Sequence, residues 1–296
     1  MTMQRRRFLT TSAGAAAGLV CGASGVARLA AEDSKKTKMQ LGLVTYNWGK
    51  DWDVPTIIKN CEATSFEGVE LRSTHKHGVE ITIDAKRRKE VRRQFADSQV
   101  ELVGLGSACE YHSPDPAVVR KNIEETKAFV KLCKDVGGSG VKVRPNGIPQ
   151  DVPIEKTLEQ IGKSLREVAK FGADHGVDIR VEVHGRNGSA ELPNIQRMME
   201  VADHPNAVVC WNCNPTDLNG KGLKHNFDLV KEKIGTIHIH DLNSTSYPWK
   251  EIFSLLKGAN FSGWTLLEEG KVPTDIIAAM HENRAVWNQL VQNTGA

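Results

Sequence analysis

From residue 40 onward the chain alternates short β-like runs with longer amphipathic helical patterns, and it does so eight times without interruption. The strand-like runs are QLGLVTYN (40–47), GVELR (68–72), VELVGLG (100–106), GVKVRP (140–145), VDIRVEVHG (177–185), AVVCWN (207–212), TIHIHDL (236–242) and GWTLLEEG (263–270). Between them lie patterns of helical period, such as DAKRRKEVRRQFADS with Asp84 placed as N-cap, and DPAVVRKNIEETKAFVKLCKDVGG closing on a glycine stop. The sixth helix is expected over HNFDLVKEKIG (225–235), and PTDIIAAMHENRAVWNQLVQN closes the series. Strands separated by helices return in the same direction, so the sheet must be parallel. Eight such units in about 250 residues fit a (β/α)8 barrel. A doubly wound open sheet would show a Gly-rich phosphate loop after its first strand, and TYNWGKDWD is not one. The prediction is an α/β chain with a single (β/α)8 TIM barrel over residues 40–293.

Ahead of the barrel, QRRRFLTTSAGAAAGLVCGASGVARLA combines a basic start, a mild Ala/Gly-rich apolar run and small residues near Ala27. It reads as an export signal over residues 1–30, and Arg5-Arg6 followed by Phe8-Leu9 resembles the twin-arginine type. Residues 31–39 form a polar linker. The apolar run falls short of the roughly 20 residues a spanning helix needs. Val20 before Cys21 is a poor fit to a lipid-anchor site. The expected location is the periplasm, without stable membrane association after signal removal. The formal charge of +3 is accounted for by Arg5, Arg6 and Arg7, which leaves the remainder near zero and gives no basic surface for nucleic acid.

Without Cys21 the cysteines are Cys61, Cys109, Cys133, Cys210 and Cys213, an odd, scattered set that makes no disulfide framework. The Cys-x-x-Cys of VVCWNCNPTDL invites a redox reading. Positions 210 and 213 fall on opposite faces of a strand, however, and no second Cys or His pair completes a zinc site.

In a barrel of this kind the active site lies at the C-terminal ends of the strands. Period-two alternation turns Ile179, Val181 and Val183 outward and Arg180, Glu182 and His184 inward. By the same rule Thr236, His238 and His240 face inward, as do Glu70 with Arg72 and Lys142 with Arg144. Each set alone fits a satisfied structural network as well as a catalytic one. Glutamates and histidines from several strands converging at one end can instead surround a cation.

FEGVELR, VEVHG, IHIHDL and GWTLLEEG, in that order and spacing, resemble the xylose isomerase-like TIM-barrel superfamily, in its sugar phosphate isomerase/epimerase group. The resemblance spans residues 40–290. It implies one divalent ion, Mn²⁺ first with Mg²⁺, Co²⁺ or Zn²⁺ as alternatives, held by Glu182, a residue of strand six, His238 and Glu268, with Glu269 replacing Glu268 if the strand is shifted. On strand six Asn212 stands where relatives carry an aspartate, which weakens the site, and Asp217 is a candidate to compensate. Glu182 and Glu268 are the implied catalytic pair. Glu70, Arg72, Lys142, His184 and His240 are the implied substrate-binding residues, and Asp241 the group behind the metal-bound histidine.

The implied activity is isomerisation or epimerisation of a non-phosphorylated carbohydrate, by metal-assisted proton abstraction beside a carbonyl. Two alternatives stay open: a lyase or hydrolase of keto-glycosides on the same site, and a non-catalytic carbohydrate-binding barrel. Trp48, Trp211 and Trp249 are candidates for stacking on sugar rings, with Trp211 expected to face the helices. The partner is a small carbohydrate, and homo-oligomers are possible.

Overall fold

The computed structural model describes residues 39–293. Eight strands, β1 (Gln40–Val44), β2 (Gly68–Arg72), β3 (Glu101–Glu110), β4 (Gly140–Arg144), β5 (Asp178–Glu182), β6 (Ala207–Asn212), β7 (Ile234–Ile239) and β8 (Trp264–Leu267), form a closed barrel in chain order. Every neighbouring pair is parallel, and β1 pairs with β8 to close the ring. The helices are α1 (Val54–Thr64), α2 (Ala85–Ala96), α3 (Pro116–Val136), α4 (Ile154–Ala173), α5 (Leu192–Ala202), α6 (Leu223–Val230), α7 (Trp249–Gly258) and α8 (Ile276–Asn293). None of the described helices is long and apolar enough to cross a membrane. The expected export signal and linker lie outside the described residues.

Local chemistry sets the helix ends. Asp84 accepts from Arg87 N at 2.8 Å to start α2, as its position predicts, and Asp53 and Asp115 do the same for α1 and α3. Each such cap contributes about 1 kcal/mol. α3 stops at Gly137, whose φ of 93° is the left-handed conformation that glycine takes without strain. Helix α6 runs from 223 to 230, earlier than expected, and its predicted last turn is a separate 3-10 turn, Lys231–Lys233.

Several strands depart from expectation: β1, β7 and β8 end about three residues early, and two others have a visible cause. β3 continues to Glu110, because after an irregularity beyond Gly106 it re-pairs with β4 at Arg144. β5 stops at Glu182, since Gly185, at a φ of 125°, turns the chain away to a single bridge with Asn146.

The outward faces of the strands pack on the helices in one large apolar core. The barrel interior holds a second, small cluster of Val44, Val103, Trp264 and Leu266. Its floor is built on missing side chains: a Cβ at Gly68 would stand 2.7 Å from the Trp264 ring, and one at Gly140 would land on the Arg180 guanidinium. Those niches let two large groups lie across the bottom. Arg180 donates to Val103 O at 2.9 Å and to Ser139 Oγ at 2.9 Å.

Candidate active site

Above that floor, the next inward layer is polar. Lys142 on β4, Glu182 on β5, Asn212 on β6 and His238 on β7 are all buried, and their strands hold them in adjacent register: Glu182 lies opposite Cys210, and Asn212 opposite His238. Glu268 follows β8 by one residue and still donates its backbone N–H to Ile239 O at 2.9 Å, so its side chain keeps the inward alternation. His238 Nδ1 stands 3.7 Å from Glu182 Oε1 and 3.4 Å from Glu268 Oε2. Ligand atoms of Glu182, His238 and Glu268 all lie within 4.8 Å of one another. This is the spacing of a site for a single cation.

Lys142 Nζ donates to Glu182 Oε2 at 2.8 Å and Asn212 Nδ2 donates to Glu182 Oε1 at 3.2 Å. Burial alone would raise the Glu182 carboxyl, but Lys142 and His238 outweigh it and hold the group well below the usual carboxylate range. Burial likewise disfavours the charged His238 imidazole, yet Cys210, Glu268 and Glu70 around it outweigh burial and hold it well above its usual value. A cluster this acidic calls for positive charge, and a proton on His238 serves where a metal would displace it.

The donor set fits a divalent ion. His238 Nδ1 and Asn212 Oδ1 are buried with no hydrogen-bond partner, which is costly unless something else engages them. Glu182 and Glu268 bring two carboxylates against one imidazole, with Lys142 bonded to Glu182, and a divalent ion would offset that crowding of acidic groups. Two carboxylates, an imidazole and an amide oxygen suit Mn²⁺, Mg²⁺ or Zn²⁺ without selecting among them.

Several predicted residues occupy other places. Glu70, expected to bind substrate, is wholly buried, with Oε1 3.5 Å from His238 Nε2. Asp241, expected behind His238, is exposed and takes two hydrogen bonds from Asn243 instead. It lies beyond the end of β7, where alternation no longer aims it inward. Asp217 is held away from the cluster by Tyr247 Oη at 2.8 Å and Asn214 N at 3.0 Å, and burial pushes its carboxyl up to about 7. Glu269 is buried but not part of the triad.

Arg72 lies half-buried at the end of β2 with its guanidinium 4.5 Å from the centre of the Tyr46 ring. His184 is half-buried, and His240 Nδ1 is fixed on Glu268 O at 2.7 Å. Trp48, Trp211 and Trp249 are all buried, each with its indole N–H engaged: on Lys271 O, on Tyr247 Oη and on Ser244 O. None is free to stack on a sugar. Trp211 faces the helices, edge-on to Phe227 of α6.

The five described cysteines are free and buried. Cys210 neighbours His238, Cys213 packs in the apolar core beside Asp217 and Tyr247, and the two thiols of the Cys-x-x-Cys are not bonded to each other. Sequence reasoning missed Glu110, which accepts from Arg144 Nη2 and Asn146 Nδ2, both at 2.6 Å, and braces the rim next to His112. Ending the third strand at Gly106 hid it. Tyr46, under Arg72, was missed because the strand expected over 40–47 ends at Val44, two residues before it.

Comparison with known proteins agrees with this architecture. A family model described as Xylose isomerase-like TIM barrel matches residues 58–290. An L-ribulose 3-epimerase from Methylomonas sp. (strain DH-1) is 20% identical over 232 residues, covering 73% of this chain and 79% of that one. The apo structure of the 3-keto-D-glucoside 4-epimerase YcjR from E. coli superposes with a TM-score of 0.73 at 13% identity, over 85% of this chain and 100% of that one. The IOLI protein with a bound zinc atom superposes with a TM-score of 0.74 at 15% identity, over 87% and 100%.

Proposed function

The chain belongs to the xylose isomerase-like TIM-barrel family, and on that footing we propose that it is a sugar isomerase or epimerase. It shifts a proton at the carbon beside a carbonyl of a non-phosphorylated carbohydrate. One observation carries the reading: two buried carboxylates, Glu182 and Glu268, stand on either side of an unpartnered His238 Nδ1. The relatives named above, which act on ribulose and on a keto-glucoside, support the substrate class.

Glu182, His238, Glu268 and the amide oxygen of Asn212 would hold the divalent ion, Mn²⁺ by preference. When bound, it supplies Lewis-acid polarisation of the substrate carbonyl. The chain's own groups do the rest. Glu182 and Glu268 take the proton from carbon and return it, and the Lys142 contact makes Glu182 the weaker base of the two. Lys142 also fixes the Glu182 rotamer. His240, anchored on Glu268 O, and His184 orient substrate hydroxyls, and Arg72 on Tyr46 forms the β1–β2 edge of the opening. With an export signal over residues 1–30 and a linker over 31–39, the barrel works in the periplasm, where free sugars and oxidised glycosides are the available substrates.

The test is metal content together with exchange in deuterium oxide, using protein purified without chelator and supplied with ketohexoses and 3-keto-glucosides. Bound divalent metal and Mn²⁺-dependent deuterium incorporation beside the carbonyl are expected. Less than about a tenth of an equivalent of metal, with no turnover on adding Mn²⁺, overturns the reading.

A further inference from the structure

We propose that Glu70 is a positioning residue that grips His238 by its Nε2–H and keeps the ring turned with Nδ1 toward Glu182 and Glu268. The inference rests on the metal-site reading above only for what Nδ1 then does. The grip itself stands on the packing around Glu70.

Glu70 has no exposed surface and neither carboxylate oxygen has a hydrogen-bond partner. His238 is equally enclosed, and its Nε2 is unpartnered too. These two are each other's opposite number at 3.5 Å, a small approach short of a good hydrogen bond. The nearby cation, Lys142, bonds Glu182 at 2.8 Å and makes no hydrogen bond to either Glu70 oxygen. A carboxylate acceptor and an imidazole donor, both cut off from water, satisfy each other or nothing.

The neighbouring strand is shaped for this. Between Val69 and Glu70 the register with β3 slips by one, so that Glu70 faces Gly104 where an unbroken ladder would give Val103. Two residues on, a Cβ at Gly106 would stand 2.9 Å from Glu70 Oε1. The carboxylate lies in a notch that Gly106 leaves open. A side chain kept there by a glycine and a slipped register, yet bonded to no backbone, is placed for His238 Nε2 at 3.5 Å. Metal-bound histidines commonly donate their second N–H to such a group, which fixes ring orientation.

The experiment compares wild type, Glu70→Gln and Glu70→Leu, with His238→Asn to assign signals. Two readouts are taken: the Nε2–H resonance of His238 in protein labelled with ¹⁵N at histidine, with and without Zn²⁺, and Zn²⁺ affinity by calorimetry. Wild type is expected to show a downfield, carboxylate-bonded Nε2–H in both states. Glu70→Leu is expected to lose it and to bind Zn²⁺ about 10- to 100-fold more weakly. Glu70→Gln, which keeps a neutral acceptor, is expected to retain the resonance at a shifted position and most of the affinity.

An unchanged resonance and affinity in Glu70→Leu overturn the proposal and leave Glu70 a packing residue. If Glu70→Leu does not fold, an unshifted resonance in Glu70→Gln overturns it equally. A wild type that binds no Zn²⁺ removes the metal reading, while the resonance still decides the role of Glu70.

Discussion

The floor and the mouth of the barrel interior are built from the same kinds of residue and treat them in opposite ways. At the floor Arg180 is a buried cation with donors placed on Val103 O and Ser139 Oγ, and Trp264 lies in niches left by glycines. One layer higher, Glu70, Asn212 and His238 keep buried polar atoms that nothing in the chain bonds. A polar side chain in a barrel is therefore not evidence of function by its burial alone. What separates the layers is satisfaction: at the floor Arg180 leaves only its Nε without a partner, whereas the mouth leaves Asn212 Oδ1 and His238 Nδ1 open beside the two carboxylates.

That division is tested most sharply at Glu268. Glu268→Gln is expected to lower deuterium exchange into a true substrate by about 10²- to 10⁴-fold. The same variant keeps the size and shape of the side chain, so its metal-free melting temperature should stay close to that of wild type. A clear fall in melting temperature would mean that the mouth is holding the fold together.

At the floor the expectation is reversed. Gly140→Ala drives a methyl into the Arg180 guanidinium and should cost about 1–3 kcal/mol, read as a lower denaturation midpoint, with exchange per folded molecule unchanged. Loss of activity without loss of stability would break the comparison.

An effect confined to acid pH, and absent at neutral pH, is expected at His77, a polar residue beside the mouth that is satisfied as the floor is. Its Nε2 bonds Arg72 O at 2.7 Å and its Nδ1 accepts from Val79 N at 3.0 Å, an arrangement open only to the neutral ring. Burial lowers it from 6.5 to about 4. A depressed folded value means that its contribution is present above pH 6.5 and lost as pH falls through 4, about 3 kcal/mol at most. His77→Gln should flatten that limb of the stability–pH curve; an unchanged acid limb would show that His77 does not carry it.

The barrel was legible because period-two strands and capped helices are local signals repeated eight times. Glu182, His238 and Glu268 were legible because alternation fixes which side of a strand a residue takes. The errors fall where alternation stops: Asp241 and Tyr46 lie just beyond a strand, and Glu110 lies on an extension that depends on pairing with β4. The role of Glu70 was hidden differently. Its inward direction is readable, but its depth depends on a register slip against β3 that no single strand encodes. Trp48 and Trp249 were misplaced because an indole suits a sugar face and an apolar interior equally well, and only packing decides between them.

The pairing of β1 with β8 has a consequence for how the molecule is made. Contacts such as Leu43 with Leu267 join the two ends of the barrel, so the ring cannot close until almost the whole chain has left the ribosome. β8 and the residue after it bring both Trp264, which fills the floor, and Glu268, which completes the acidic triad. An unfinished chain thus lacks its lowest packing layer and one carboxylate of the triad together, and both arrive only with the last strand.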